Sequence, residues 1–251
     1  MNMAIDESIL ESKIDHHVPS TIRLYRWKPS TVSIGRFQEA QKEVHLANCR
    51  KHGIDVVRRI TGGGAVYHDS ADEITYSVIA DKDDLGTEDI HDIYARIYSG
   101  LTKALAMLGV TADFNQGNLK ACPNLTVKGR KISGSAQAHR HGAVLQHGTL
   151  LTKVNLERMF TFLRVPWAQT CLQVVRVAEN RITSINSEIK RDLSDDEIVN
   201  ALVKGFESGL DMKMNNGRLT SKELESAEKL CKTKYATDAW NLRGCSSHQE
   251  L

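Results

Sequence analysis

Between residues 73 and 108 the chain changes its apolar period once, and that change limits what it can fold into. Residues 73–80 (EITYSVIA) alternate as one face of a strand does, whereas residues 88–108 place Ile90, Ile93, Ile97, Leu101, Leu105 and Leu108 near helical period. A strand feeding a long amphipathic helix has to bury the helix's stripe, and a sheet face is the available partner.

The rest of the chain extends this pattern. Residues 4–14 space Ile5, Ile9 and Leu10 as a helix face would, and residues 21–34 alternate like two strands broken at Lys28-Pro29-Ser30, so a helix and then a hairpin are expected. Residues 43–52 read as a short helix ending at Gly53, and residues 54–60 as a strand with Arg58 and Arg59 at its end. Residues 125–127 and 131–137 flank a turn at Lys128-Gly129, and residues 143–151 supply another strand. Helical patterns follow at residues 156–163, 194–210 (with Asp195 and Asp196 in the first turn) and 221–234. The expectation is an α+β fold, a mixed, mostly antiparallel β-sheet flanked by helices. No linker or repeat divides residues 1–251, so one domain with a helical C-terminal part from about 190 to 245 is expected.

Composition narrows the function classes. A formal charge of +2 is too small for nucleic acid to be held by bulk electrostatics, so any basic site must be local. The five cysteines (Cys49, Cys122, Cys171, Cys231, Cys245) form no CxxC pair, which argues against a disulfide framework or a zinc site and fits a reducing cytoplasm. No run of eighteen apolar residues or signal-peptide layout occurs, so no membrane association is expected. Nothing argues for a homo-oligomer, and Trp167 and Trp240 are expected in the core.

Three segments carry the candidate chemistry. In Arg58-Arg59-Ile60-Thr61-Gly62-Gly63-Gly64-Ala65-Val66-Tyr67-His68-Asp69, two guanidinium groups precede three glycines. Bare backbone can approach a ligand closely and aim several N–H groups at one anion, while arginine adds bidentate donors for phosphate or carboxylate. The plainer alternative is a glycine-rich hairpin with two surface arginines. A Walker loop is absent, and Tyr67 stands where a dinucleotide fingerprint needs a small residue. The second segment, Lys128-Gly129-Arg130-Lys131-Ile132-Ser133-Gly134-Ser135-Ala136-Gln137, is a turn feeding a strand of small residues with room beside it for a ligand chain. Lys131 is either a solvated charge or a cation for a developing oxyanion. The third, Leu145-Gln146-His147-Gly148-Thr149, sets a histidine in an apolar strand, as a satisfied core residue or as pocket lining.

These segments, in this order, resemble the catalytic domain shared by lipoate-protein ligases, octanoyltransferases and, more distantly, biotin-protein ligases, over residues 3 to about 165. Asn2-Met3-Ala4-Ile5-Asp6-Glu7, Gly35-Arg36-Phe37-Gln38 and Lys234-Tyr235-Ala236-Thr237-Asp238-Ala239-Trp240-Asn241 are similar to such chains as well. The resemblance implies a fold like that of class II aminoacyl-tRNA synthetases and biotin ligases. It also implies an acyl-adenylate site in which Arg58, Arg59, Thr61, Gly62, Gly63, Gly64, Ala65 and Val66 wrap the ligand. Lys131 would contact its carbonyl and phosphate, with His68, Ser133, Gly134, Ser135, Ala136, His147 and Gly148 around it. Asn124 matches the Asn of the family's Asn-Asp, but the aspartate is missing here. The family usually has a strand before Asn-Met-Ala, so either the start is trimmed or the sheet lacks an edge strand.

Two activities and one silent role follow from that likeness. As a ligase the protein would use ATP with magnesium, for which no protein metal motif is present, to form lipoyl-AMP and pass the acyl group to a lysine. The acceptor would be a lipoyl domain or a glycine-cleavage H-type protein. Larger ligases carry a C-terminal domain not found here, which a separate accessory subunit would replace. As a transferase it would take octanoyl from a carrier thioester through Cys122, seven residues before Gly129, the interval where one branch of octanoyltransferases keeps its nucleophile. Lys120 and Lys131 would then supply positive charge to hold the thiol below the free value of about 8.5. A non-catalytic acyl-binding subunit is the third role. Lipoate and octanoate are not separated by any motif, and burying an eight-carbon chain would contribute roughly 5 kcal/mol in either case.

Overall fold

The computed structural model describes residues 1–117 and 122–243. Six strands form an antiparallel sheet in the order β1-β5-β9-β8-β7-β6, with β1 Thr21–Tyr25, β5 Glu73–Asp81, β6 Asp113–Asn115, β7 Asn124–Val127, β8 Arg130–Arg140 and β9 Ala143–Leu151. A second sheet, β3-β2-β4, is built from β2 Thr31–Ile34, β3 Asp55–Arg58 and β4 Val66–His68, with β2 and β3 parallel. The mixed, mostly antiparallel α+β architecture expected from the sequence is therefore the one observed.

Strand β5 is buried along both faces, and its two registers explain the layers. Ile74, Tyr76, Val78 and Ala80 pack on helices α5 (Ile90–Met107) and α9 (Asp195–Leu210), while Ile79 packs on helix α1 (Asn2–Ile14) and on α10 (Ser221–Leu230) through Ala227. The stripe Ile93, Ile97, Leu101 and Leu105 of α5 is fully buried, as its period required. Helices α5 and α9 meet closely because Gly100, Gly205 and Gly209 leave bare backbone at the crossing. A Cβ on Gly205 would stand 2.6 Å from the Gly100 carbonyl oxygen. Ser194 begins α9 with a capping box to Glu197, and Thr220 begins α10 with one to Glu223. The shorter helices are α2 Ala40–Glu43, α3 Leu46–Lys51, α4 Lys82–Leu85, α6 Leu156–Phe162, α7 Cys171–Ala178 and α8 Ile185–Ile189.

Several local expectations are corrected. The two strands of residues 21–34 form no hairpin: β1 pairs with β5 and β2 pairs with β3 and β4. The break at Lys28-Pro29-Ser30 is a crossing between sheets, pinned by buried Trp27, whose indole N–H donates to Thr75 Oγ1 at 2.8 Å. The helix expected at residues 43–52 is present as the shorter α3, beginning only at Leu46 because Val44 bridges Leu163 and buries its side chain in the third core cluster. The last helix ends at Leu230 and continues as a π-helical turn, Cys231–Tyr235. Trp167 is 60% exposed and so is not a core residue, whereas Trp240 packs against the second core cluster.

Candidate active site

A cavity of about 310 Å³ opens where the two sheets meet, walled by β8 and β9, by β4 with the glycine segment, and by α6. That volume lies in the range of small-ligand pockets. Val66, Leu151, Met159, Phe160, Leu163 and Ile182 give it apolar lining, and Ser33, Arg59, His68, Lys131 and His147 bring polar groups to it.

The cavity brings together residues from all three sequence segments. Arg59, Gly63, Gly64, Ala65, Val66 and His68 line it from the first, Lys131, Ser133, Gly134, Ser135 and Ala136 from the second, and His147 and Gly148 from the third; Cys122 joins them. Gly63 has φ +84°, which its lack of a side chain permits, and Gly35 packs so tightly beneath the loop that a Cβ there would collide with the Gly63 carbonyl oxygen. Four expected ligand residues, Arg58, Thr61, Gly62 and Asn124, do not line the cavity. Gly62 offers its carbonyl to Arg59, Thr61 touches His147, and the Asn124 side chain donates to the Cys122 carbonyl at 3.2 Å.

Arg58 is the clearest correction. Its side chain turns away from the cavity and donates to the carbonyl oxygens of Gly35, Arg36, Gln38, Trp240 and Asn241, at 2.6 to 3.3 Å. Trp240 and Asn241 answer it: the indole N–H donates to the Arg58 carbonyl, and Asn241 Oδ1 accepts from the Arg58 N–H. Adjacent strand residues point to opposite faces, so only one of the two arginines can reach the ligand side.

Arg59 is that one. It is buried, and among the described residues it has no carboxylate partner; its guanidinium donates to Ser33 Oγ, Thr61 Oγ1 and the carbonyls of Gly62 and Gly64. Burial lowers its pKa to about 10. A buried cation held only by neutral acceptors favours an anionic or strongly polarised ligand beside it.

Lys131 sits at the start of β8, which residues 181–183 bridge: its N–H donates to Arg181 O at 2.7 Å, and the Thr183 N–H donates back at 2.9 Å. Its side chain folds along the strand, so that a Cβ on Gly134 would stand 2.5 Å from Cε and Nζ. The residue is open to solvent through the cavity, yet crowding by the walls lowers the pKa of the ammonium; the Cys122 thiol opposes that shift and the Arg59 charge adds to it. Cys122 is exposed and near enough to influence both cations, whereas Cys49 is buried and its thiol is pushed up to about 11 by desolvation. Lys120, the other expected source of charge, lies outside the described residues, as does Cys245.

His147 is buried, with Nε2 2.7 Å from Thr61 Oγ1 and Nδ1 3.2 Å from Asp6 Oδ2. Burial lowers its pKa, outweighing the Asp6 carboxylate. The folded state therefore binds fewer protons than the unfolded chain just below the free value of about 6.5, and stability falls as the pH drops through that window. In urea denaturation at pH 7.5 and 5.5, His147→Gln should narrow the difference in stability between the two conditions; an unchanged difference would remove this assignment.

Several residues of the site were not found in the sequence. Ser33, Trp27, Thr75 and Met3 line the cavity, and Asp6 and Glu73 sit behind the two histidines. Asp6 belongs to the Asn-Met-Ala-Ile-Asp-Glu opening already noted for its likeness, and that was its only signal. Glu73 and Thr75 were read merely as the polar phase of a strand.

Residues 1–207 match the family model described as the lipoyl protein ligase A/B catalytic domain. The chain belongs to this family. The octanoyltransferase LipM of Brevibacillus brevis is 38% identical over 97% of this chain and 94% of its own. Among solved structures, the bi-partite lipoate protein ligase of Thermoplasma acidophilum superposes with a TM-score of 0.84 at 30% identity, covering 99% of this chain and 93% of that one. A lipoate-protein ligase A solved with bound ATP gives 0.81 at 31% identity, over 96% and 92% of the two chains. The protein is thus an enzyme of the lipoyl and octanoyl transfer family. Among the described residues no helix is long and apolar enough to cross a membrane, and no group of three or more His, Cys, Asp and Glu side chains could hold a metal ion.

Proposed function

We propose that the protein is an octanoyltransferase that moves a medium-chain acyl group from a carrier thioester to a lysine of a lipoyl-domain or H-type acceptor, through Cys122. The observation that carries this reading is the lining of one cavity by an exposed thiol, a lysine of lowered pKa and a buried arginine that has no carboxylate partner among the described residues. Relatives that are named octanoyltransferase and match nearly the full chain support it over the ligase that the sequence put first.

In the first half-reaction Lys131, as the free amine, takes the Cys122 proton, and the thiolate attacks the thioester carbonyl. The carbon–sulfur bond to the carrier breaks, the carrier thiolate leaves with the proton returned by Lys131, and S-octanoyl-Cys122 remains. In the second, the acceptor's lysine amine attacks that thioester, an amide forms and the Cys122 thiol is restored. Arg59 and protonated Lys131 face the oxygen that becomes negative in both steps. The apolar wall holds the acyl chain.

A second reading, ATP-dependent lipoate ligation, is favoured by the lipoate-protein ligases of 30% and 31% identity. Here Arg59 and Lys131 would hold the phosphate of an acyl-adenylate, and magnesium would come with the nucleotide. The Thermoplasma protein is bi-partite and was studied with an E2 lipoyl domain, which supports an accessory subunit and a lipoyl-domain acceptor under this reading.

One assay separates the two. The protein is incubated with octanoyl carrier and acceptor domain, and separately with ATP, lipoate and acceptor, each with Cys122→Ser alongside. Transfer from the thioester that is lost in Cys122→Ser, with a mass increase of one octanoyl group on the parent enzyme, is the expected result. ATP-dependent transfer that survives the substitution selects the ligase, and lipoate binding without either transfer selects a silent subunit.

A further inference from the structure

A guanidinium carries five N–H groups and no acceptor. At Arg59, Nε–H donates to Thr61 Oγ1 at 3.3 Å, one Nη1–H to Ser33 Oγ at 2.7 Å, and Nη2 to the carbonyls of Gly62 and Gly64 at 2.9 and 3.0 Å. Both hydroxyl oxygens thus accept from arginine, and each hydroxyl proton has to be given elsewhere. For Ser33 the next partner is His68 Nε2 at 2.6 Å; for Thr61 it is His147 Nε2 at 2.7 Å. If each hydroxyl gives its proton to the imidazole, Nε2 is bare and the neutral ring carries its proton on Nδ1. There His68 faces Glu73 Oε1 at 2.6 Å, and His147 faces Asp6 Oδ2 at 3.2 Å.

The opposite ends of the two chains demand the same tautomer. Asp6 accepts from Arg23, Ser77 and Tyr25, and although burial works against its charge, Arg23 and His147 outweigh burial and hold its carboxyl below the usual range. An ionised Asp6 can only accept from His147. On the other side the Thr75 hydroxyl accepts from the Trp27 indole and donates to Glu73 Oε1 at 2.9 Å, leaving that oxygen an acceptor toward His68. The carboxylates come from α1 and β5, the imidazoles from β9 and β4, yet both chains end on one guanidinium.

We propose that Glu73–His68–Ser33 and Asp6–His147–Thr61 are a matched pair of positioning relays that orient Arg59 and leave for the acyl carbonyl oxygen the one N–H that has no acceptor among the described residues. This rests on the acyl-transfer reading of the cavity. The first chain has the order of a Glu–His–Ser nucleophile triad, but its counterpart through Thr61 ends on the same arginine, and Ser33 already accepts from Arg59. The shared terminus marks Arg59 as what both chains serve.

The test uses the full chain with 15N-labelled histidine at pH 7 without substrate, with His68 and His147 assigned by single substitutions. Both rings are expected to be Nδ1-protonated with Nε2 bare; a proton on Nε2 of either overturns the proposal. In transfer from the octanoyl thioester, Thr61→Val, which keeps the shape and drops the hydroxyl, should lower kcat about 10- to 100-fold with KM within about twofold. Thr61→Ser, which keeps the hydroxyl, should restore most of the rate. Unchanged kcat in Thr61→Val, or covalent labelling of Ser33 by a fluorophosphonate, also overturns it. Full thioester transfer by Cys122→Ser would remove the proposed function while leaving the tautomer result to stand or fall separately.

Discussion

Lys131→Ala should lower acyl transfer by about three orders of magnitude while leaving the fold in place. Under the proposed thioester transfer two losses combine: the base that would take the thiol proton, worth about 10² to 10⁴, and one cation at the developing oxyanion, worth about 10² to 10³. They are carried by one side chain, so they do not multiply in full. The fold should survive because the ties of Lys131 to Arg181 and Thr183 are made by its backbone, which alanine keeps. Single-turnover acylation by an octanoyl thioester measures the effect, and circular dichroism checks the fold. Gly134→Ala is a paired probe: its methyl group would occupy the space of Lys131 Nζ, so the ammonium must move although the lysine is still present. A Lys131→Ala enzyme within tenfold of the parent would end the assignment.

The second large effect is on stability. Arg58→Ala should cost about 4 kcal/mol, because it leaves carbonyl oxygens of Gly35, Arg36, Gln38, Trp240 and Asn241 without their donor in a closed environment, at about 1–3 kcal/mol for each group that stays dry. For a chain of this size that corresponds to a fall in Tm of about 8–16 °C. Arg58→Lys should recover little, since an ammonium cannot span acceptors on two separate segments as the planar fork does. Urea denaturation gives the free energy, and a loss below about 1 kcal/mol would show that water replaces the guanidinium. Arg59 contrasts with it: of two neighbouring arginines in one motif, one ties the scaffold together and the other lines the cavity.

Much of this was legible in residue order, for identifiable reasons. The long helix Ile90–Met107 and strand Glu73–Asp81 were readable because one has a single buried stripe and the other a clean alternation, both local properties. The joining of the glycine loop, the Lys131 strand and His147 in one cavity came from a likeness between motifs, not from their physics. What failed was non-local. Thr21–Tyr25 and Thr31–Ile34 look like hairpin arms, and nothing within fourteen residues tells that Trp27 is drawn between two sheets. The division of labour between Arg58 and Arg59 depends on which face of a four-residue strand meets Trp240 and Asn241, far along the chain. Asp6 and Glu73 were missed because a buried carboxylate behind a histidine is indistinguishable, in a string of letters, from a solvated one.

Under the acyl-transfer reading, Gly148 has consequences for which acyl tails the cavity can take. A side chain there would stand 2.6 to 2.7 Å from the Gly134 carbonyl oxygen, the Tyr76 hydroxyl and Ser135 Cβ, so the wall at Gly148 has no room for a larger residue. Met159, Phe160 and Leu163 also line the cavity, presented by and just after a helix of only seven residues. Under that reading, room for longer or branched tails is to be sought on that short helix rather than at Gly148.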